Sequence, residues 1–193
     1  MEKGKQVKEY TISIQKANLY SLIFVLPVLL FLGGPYLIRW GWRGIKESLL
    51  AIDSPVLLSL MFFISVIIGI VIHELIHGIF WALRADKGWR SIKFGIKWKM
   101  LTPYTHCKVP LKVKDYSLGV VMPGLILGIL PVIIAIINGS FVLWIYGLIF
   151  TIAAGGDFVA LIMLSSLDSE DHIQDHPREI GFILFEDDQS NQE

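Results

Sequence analysis

The chain has 193 residues, of which 54% are apolar and 18% charged, with a mean hydropathy of +0.61. Seventeen basic and 17 acidic residues cancel to zero net charge; with that hydropathy this excludes a disordered chain, which needs low hydrophobicity and high net charge, and it argues against a nucleic-acid partner, which calls for a basic excess. A single cysteine, Cys107, excludes an intrachain disulfide framework, and the length suits one domain.

Four apolar runs organise the chain: Tyr20–Ile38, Pro55–Leu83, Leu118–Ile137 and Phe141–Leu167. A membrane-spanning helix needs roughly 20 apolar residues, and each run reaches or nearly reaches that length. Only Glu74 and Asp157 carry charge inside them. Four such helices exceed what a core of this size encloses, so the expected fold is an all-α membrane protein with four transmembrane helices. The first run ends in Gly33-Gly34-Pro35 with no small-residue cleavage pattern, and it is read as a retained helix, irregular at Pro27 and at the Gly-Gly-Pro. Trp40, Trp42 and Trp81 sit near run ends, as interfacial aromatics do.

Between the second and third runs, Ile92, Phe94, Ile96, Trp98 and Met100 alternate with Lys93, Gly95, Lys97 and Lys99. Period two predicts an amphipathic strand. Leu101–Tyr104 reads as a turn and Thr105–Lys114 as a return strand, giving a β-hairpin over about 91–114 at the inner membrane face. In the third run, Met122-Pro123 predicts a bend, and Gly124 and Gly128 form a small-residue packing face. Residues 1–19 are expected to be an inner N-terminal segment, 20–167 the membrane domain, and 168–193 an acidic inner tail, extended only at Ile180–Phe185. Lysines and arginines concentrate before the first run and in the loop after the second; three lie between the first two runs and none between the last two. The positive-inside rule therefore predicts a multi-pass protein of the cell membrane with both termini cytoplasmic.

The second run contains His73-Glu74-Leu75-Ile76-His77-Gly78. Residues four apart share a helix face, so His73 and His77 can offer two imidazoles to one ion. This is the His-Glu-x-x-His spacing of zinc metalloproteases, in which the glutamate is the general base. As a chance pattern it is weak in a soluble chain, but ionisable groups within a span are costly and usually functional. A catalytic zinc takes three protein ligands, and Asp157 is the remaining ionisable group in a span. His73 lies eleven residues before Arg84, and Asp157 eleven before Asp168. At a rise of about 1.5 Å per residue, with both runs travelling inward, the carboxylate falls within roughly 6 Å in depth of both histidines. Gly155 and Gly156 would permit close helix approach. His106 and Cys107 are assigned to the hairpin, and His172 and His176 to solvent.

His73-Glu74-x-x-His77-Gly78, the lysine-rich hairpin, Pro123-Gly124, Gly155-Gly156-Asp157 and Asp175-His176-Pro177 together resemble a family of small bacterial membrane proteins described as zincin-type peptidases, within a domain of unknown function. More distantly the chain is similar to the site-2 class of intramembrane zinc proteases, in which an aspartate from a later helix completes the metal site. The resemblance implies one Zn2+ per chain on His73, His77 and Asp157, with Glu74 as catalytic base, and a peptide or membrane-protein substrate within the lipid bilayer. The expected activity is peptide-bond hydrolysis by Glu74-assisted attack of zinc-bound water. Phe94 and Ile96 would hold an extended substrate by edge pairing, and His106 is a further substrate contact. A non-hydrolytic metal-binding protein and a divalent-ion transporter use the same residue types. A structural site needs no carboxylate beside its first ligand, and transport favours polar groups spread through the bundle's depth.

Overall fold

A computed structural model describes residues 7–98 and 102–185. In chain order it contains β1 (Val7–Ile12), α1 (Ile14–Val28), α2 (Gly34–Leu50), α3 (Pro55–Ala82), β2 (Ile92–Lys97), β3 (Thr102–Cys107), β4 (Leu111–Lys112), α4 (Val113–Pro123), α5 (Leu130–Asn138), α6 (Phe141–Ala153), α7 (Gly155–Leu164), β5 (His172–Asp175) and β6 (Ile180–Phe185). Three helical stretches are long and apolar enough to cross a membrane: Ile14–Leu50, Pro55–Ala82 and Val113–Asn138. A fourth is made by α6 and α7, if that pair, bent by 44° at Ala154, is one span.

Of the expected irregularities, the one at Gly33-Gly34-Pro35 is present and the one at Pro27 is not, since α1 runs through Pro27; the third run departs from the α-helix just after Met122-Pro123. π-helical turns occupy Leu29–Gly33, before Pro35, and Gly124–Ile129, before Pro131. Proline has no N–H for the carbonyl four residues back. The preceding turn widens instead: Gly34 N–H reaches Leu29 O and Leu130 N–H reaches Leu125 O, each five residues away. The first helix begins at Ile14 rather than Tyr20, because the Ser13 hydroxyl caps it by accepting the Lys16 N–H at 3.4 Å. Within α2, Gly41 at φ 55° breaks the helical path.

The small-residue face of the third run does pack. A Cβ on Gly128 would lie 2.4 Å from Thr151 Oγ1, and one on Gly124 would lie 3.3 Å from Ala154 Cβ. Gly155 meets Ser21 of α1, 2.9 Å from its would-be Cβ. Gly156 has open space around its would-be Cβ, so of the two glycines before Asp157 only the first serves close approach.

Two antiparallel sheets accompany the helices, against an all-α expectation with one hairpin. β2 and β3 form the expected hairpin, from Ile92↔Cys107 to Lys97↔Thr102. Thr102–Tyr104, read from sequence as part of a turn, lies in β3, with Pro103 opposite Ile96; the expected positions Lys99, Met100 and Leu101 lie outside the described residues. The return strand ends at Cys107, and Leu111–Lys112 leaves the hairpin to pair with β5. The second sheet, ordered β1-β6-β5-β4, joins the N-terminal segment to the C-terminal tail, Val7↔Phe185 through Ile12↔Ile180. The tail is thus ordered well beyond the expected Ile180–Phe185. Its alternate residues Ile173, Phe182 and Leu184 are buried with Trp81, Tyr116 and Leu164 at the ends of α3, α4 and α7. His176, assigned to solvent from sequence, is largely buried: its Nδ1 accepts the Glu179 N–H at 2.8 Å, and its Nε2 lies 3.7 Å from Glu9 Oε2.

Candidate metal centre

Helix α3 starts on Pro55 behind Ser54, whose hydroxyl accepts the Leu57 N–H. Its sixth and seventh turns carry His73, Glu74 and His77 on the side where α4, α7 and the hairpin meet it. The bend at Ala154 begins a new helix at Gly155 and so places Asp157 in the first turn of α7, where the helix dipole favours negative charge.

The three expected ligands come together. His73 Nε2 lies 3.2 Å from Asp157 Oδ2, and His77 Nε2 lies 3.5 Å from Asp157 Oδ1. The two Nε2 atoms are 3.2 Å apart, with the rings edge to face at 77°. One ligand atom from each residue can be chosen so that all lie within 4.8 Å of one another. Tetrahedral zinc, with bonds of about 2.0–2.1 Å, separates its ligand atoms by about 3.3 Å. The three measured separations straddle that value, and two imidazoles with one carboxylate are a hydrolytic donor set. The site therefore fits zinc in both spacing and chemistry.

The surroundings fix which nitrogen faces inward. His77 Nδ1 is 2.9 Å from the Gly119 carbonyl of α4. A carbonyl only accepts, so Nδ1 carries the proton, and neutral His77 turns its Nε2 lone pair into the space it shares with His73 Nε2 and the Asp157 carboxylate, where an ion would be held. Trp81, one turn further along α3, stacks on His77 with ring centroids 5.2 Å apart. Its other face lies on Tyr116 at 4.8 Å, and its indole N–H donates to Tyr116 O at 3.0 Å. Trp81 is 4% exposed, so the expectation of an interfacial aromatic is wrong: its position near the run's end is overridden by the hairpin and the sheet that cover that end.

Glu74 stands outside the ligand cluster. Thr105 Oγ1 of β3 lies 2.8 Å from both Glu74 Oε2 and Glu74 O; a hydroxyl has one proton, so it donates to one at a time. Phe94 sits on α3, its Cζ 2.5 Å from where a Cβ on Gly78 would be, next to His77. Ile96 is exposed on the same hairpin. His106 is not part of the cluster: its Nδ1 lies 3.6 Å from Asp175 Oδ2.

Sequence reasoning missed Thr105, Gly119, Tyr116 and Asp175 as neighbours of this centre. Trp81 was visible, being four residues beyond His77 as His77 is four beyond His73. Asp175 accepts the Cys107 N–H at 2.6 Å and the Tyr116 hydroxyl proton. Burial pushes its carboxyl above the ordinary range, against these two hydrogen bonds, which pull it down. Cys107, fully buried beside it, has its thiol pushed up to about 11 by burial.

No curated protein and no solved structure matches this chain. Residues 66–170, more than half the chain and the stretch that carries His73, Glu74, His77, the hairpin and Asp157, match the model of a family described as "Putative zincin peptidase", and to that family of metallopeptidases the chain belongs.

Proposed function

We propose that this zincin is an integral-membrane metallopeptidase that hydrolyses peptide bonds at or within the bilayer, with one zinc per chain on His73, His77 and Asp157 and Glu74 as general base. The observation that carries this reading is the triangle of ligand atoms at 3.2, 3.2 and 3.5 Å, set between helices apolar enough to span a membrane. When bound, zinc supplies Lewis acidity to a carbonyl oxygen and lowers the pKa of water to about 7. Hydrolysis adds water across the C–N bond. Glu74 accepts one water proton as the oxygen bonds to the carbonyl carbon, then delivers it to the nitrogen as the C–N bond breaks. The Thr105 hydroxyl orients the Glu74 carboxylate through that cycle. The Gly119 carbonyl keeps the His77 proton on Nδ1, away from the centre.

A helical substrate hides its peptide bonds and must be extended to react. β2 pairs only with β3 among the described residues, which leaves an edge for an extended peptide. Phe94 against Gly78 brings that strand beside the His77 turn, and Ile96 and His106 are the further substrate contacts of this reading. The basic residues of the hairpin loop set this face toward the cytoplasm, with both termini inside and α6–α7 as one bent fourth span.

Metal analysis of the detergent-purified protein tests the proposal. Wild type should carry about one zinc per chain. His73→Ala and Asp157→Ala should lose it. Glu74→Gln should keep zinc while cleavage of a reconstituted single-span membrane protein disappears. Zinc retained in Asp157→Ala would remove that residue from the site, a metal-free wild type would end the reading, and full cleavage by Glu74→Gln would point to a different base.

A further inference from the structure

Asp175 belongs to the terminal sheet, outside the segment that carries the family match, and nothing in the hydrolytic scheme uses it. Its position is nevertheless specific. One oxygen, Oδ2, accepts the backbone N–H of Cys107 at 2.6 Å and lies 3.6 Å from His106 Nδ1. The other, Oδ1, accepts the Tyr116 hydroxyl proton. The carboxylate is 13% exposed, so these contacts are made largely out of water, where hydrogen bonds to an ionised acceptor are strong.

Each contact leads to the centre. Cys107 ends β3, and two residues earlier Thr105 holds Glu74. Tyr116 lies on α4, where its own carbonyl holds the Trp81 indole and its ring backs Trp81 against His77. One turn on, Gly119 O takes the His77 Nδ1 proton. β3 and α4 form the two walls of the site, one for the base and one for a ligand. They are adjacent in sequence, joined by residues 108–110 and the two-residue strand β4.

The geometry points to Asp175 as a positioning residue for zinc: from the terminal sheet, its two oxygens tie the wall that orients Glu74 to the wall that orients His77. This rests on the metal-site reading above. It also gives the terminal sheet a task. β5 is held by β6, and β6 by β1, so the sheet carries the carboxylate that spans the two walls. Metal affinity falls by about 10- to 100-fold when groups that orient a ligand are lost. An effect relayed through Tyr116 belongs at the lower end of that range.

Zinc affinity, read by competition with a chromophoric chelator, and the absorption spectrum of the Co2+-loaded protein provide the test. Asp175→Ala should weaken zinc by about tenfold and alter the Co2+ bands. Tyr116→Phe, which cuts only the α4 tether, should weaken it by a few-fold. Asp175→Asn, whose amide can still accept from Cys107 and donate to the Tyr116 oxygen, should recover most of the affinity. Ile173→Ala weakens the same strand from a fully buried position without touching the tether. It should lower thermal stability and leave the metal readouts at wild-type values. Folded Asp175→Ala with wild-type affinity and spectrum would overturn the proposal, as would an equal loss in Ile173→Ala. If Asp175→Ala does not fold, Tyr116→Phe decides: unchanged metal readouts refute the tether. A wild-type protein that binds no zinc overturns the metal centre itself, and this inference with it; a wild type that binds while all variants match it overturns only the role of Asp175.

Discussion

Gly119→Ala probes the join between fold and site in one atom. A Cβ there would lie 2.2 Å from Trp81 Nε1, 2.3 Å from Cδ1 and 3.0 Å from Cε2. Ordinary carbon contacts are about 3.5–4.0 Å, so the indole must retreat by more than about 1 Å. It has nowhere to go, with His77 on one face and Tyr116 on the other. Overpacking of this kind costs about 1–3 kcal/mol, and loss of the Trp81–Tyr116 hydrogen bond adds about 1 kcal/mol. The better helix propensity of alanine returns up to about 1 kcal/mol, leaving a net loss of about 1–3 kcal/mol. Because the Gly119 carbonyl also orients His77, zinc affinity should fall by about tenfold or more. Denaturant unfolding in micelles measures the first effect and chelator competition the second. Gly156→Ala is the matched control: its Cβ meets nothing within 4 Å, and its stability should equal or exceed wild type. If Gly119→Ala unfolds at the wild-type midpoint and holds zinc as tightly, the packing account of His77 is wrong.

Two further outcomes are expected. Thr105→Val removes the hydrogen bond to Glu74 and leaves the ligands untouched. A hydrogen bond to a charged group contributes about 1.5–3 kcal/mol, so turnover of a reconstituted substrate should drop by about 10- to 100-fold with zinc content unchanged. Equal turnover would mean that Thr105 does not orient the base. Cys107 should resist iodoacetamide at pH 8 in the folded protein, since the thiolate is the reactive form and its thiol is held up to about 11. Reactivity should rise only as pH approaches that value or after unfolding. Rapid alkylation at pH 8, followed by mass spectrometry, would contradict the burial of this strand end.

What could be read from sequence follows from where information is local. His73 and His77 are spaced on one helix, and Asp157 was found because charge inside a span is scarce and depth can be counted along two runs. Of the prolines read as breaks, Pro35 follows a π-helical turn and Pro123 precedes one, while α1 runs unbroken through Pro27; Pro131, whose missing N–H widens the second turn, was not singled out. The four-stranded sheet had no such signature. Val7–Ile12 pairs with Ile180–Phe185 from the opposite end of the chain, and the flanking charges of 168–179 made the tail read as solvated. Pro103 drew the expected turn too late; an edge strand tolerates proline, and β3 accommodates it opposite Ile96. The partners of Asp175 were invisible for the same reason as the sheet, since β3, α4 and β5 meet only in three dimensions.

The centre also carries a cost that connects stability to function. Asp157 places a carboxylate between apolar helices, where charge is unfavourable unless paired. The first turn of α7 and the His73 imidazole 3.2 Å from Oδ2 are the compensation the chain itself provides, since the His77 proton is turned to Gly119. A neutral imidazole offsets a full negative charge only in part, while a divalent cation would offset it fully. A site built this way should destabilise the metal-free protein and recover that loss on binding. Asp157→Asn in chelator-treated protein should therefore unfold later than chelator-treated wild type, by about 1 kcal/mol or more, and the order should reverse when zinc is restored. Thermal unfolding of both proteins with and without zinc measures all four states. If the variant is less stable than wild type in the metal-free pair, Asp157 is a structural polar contact between α3 and α7 rather than a charge held at a cost for an ion.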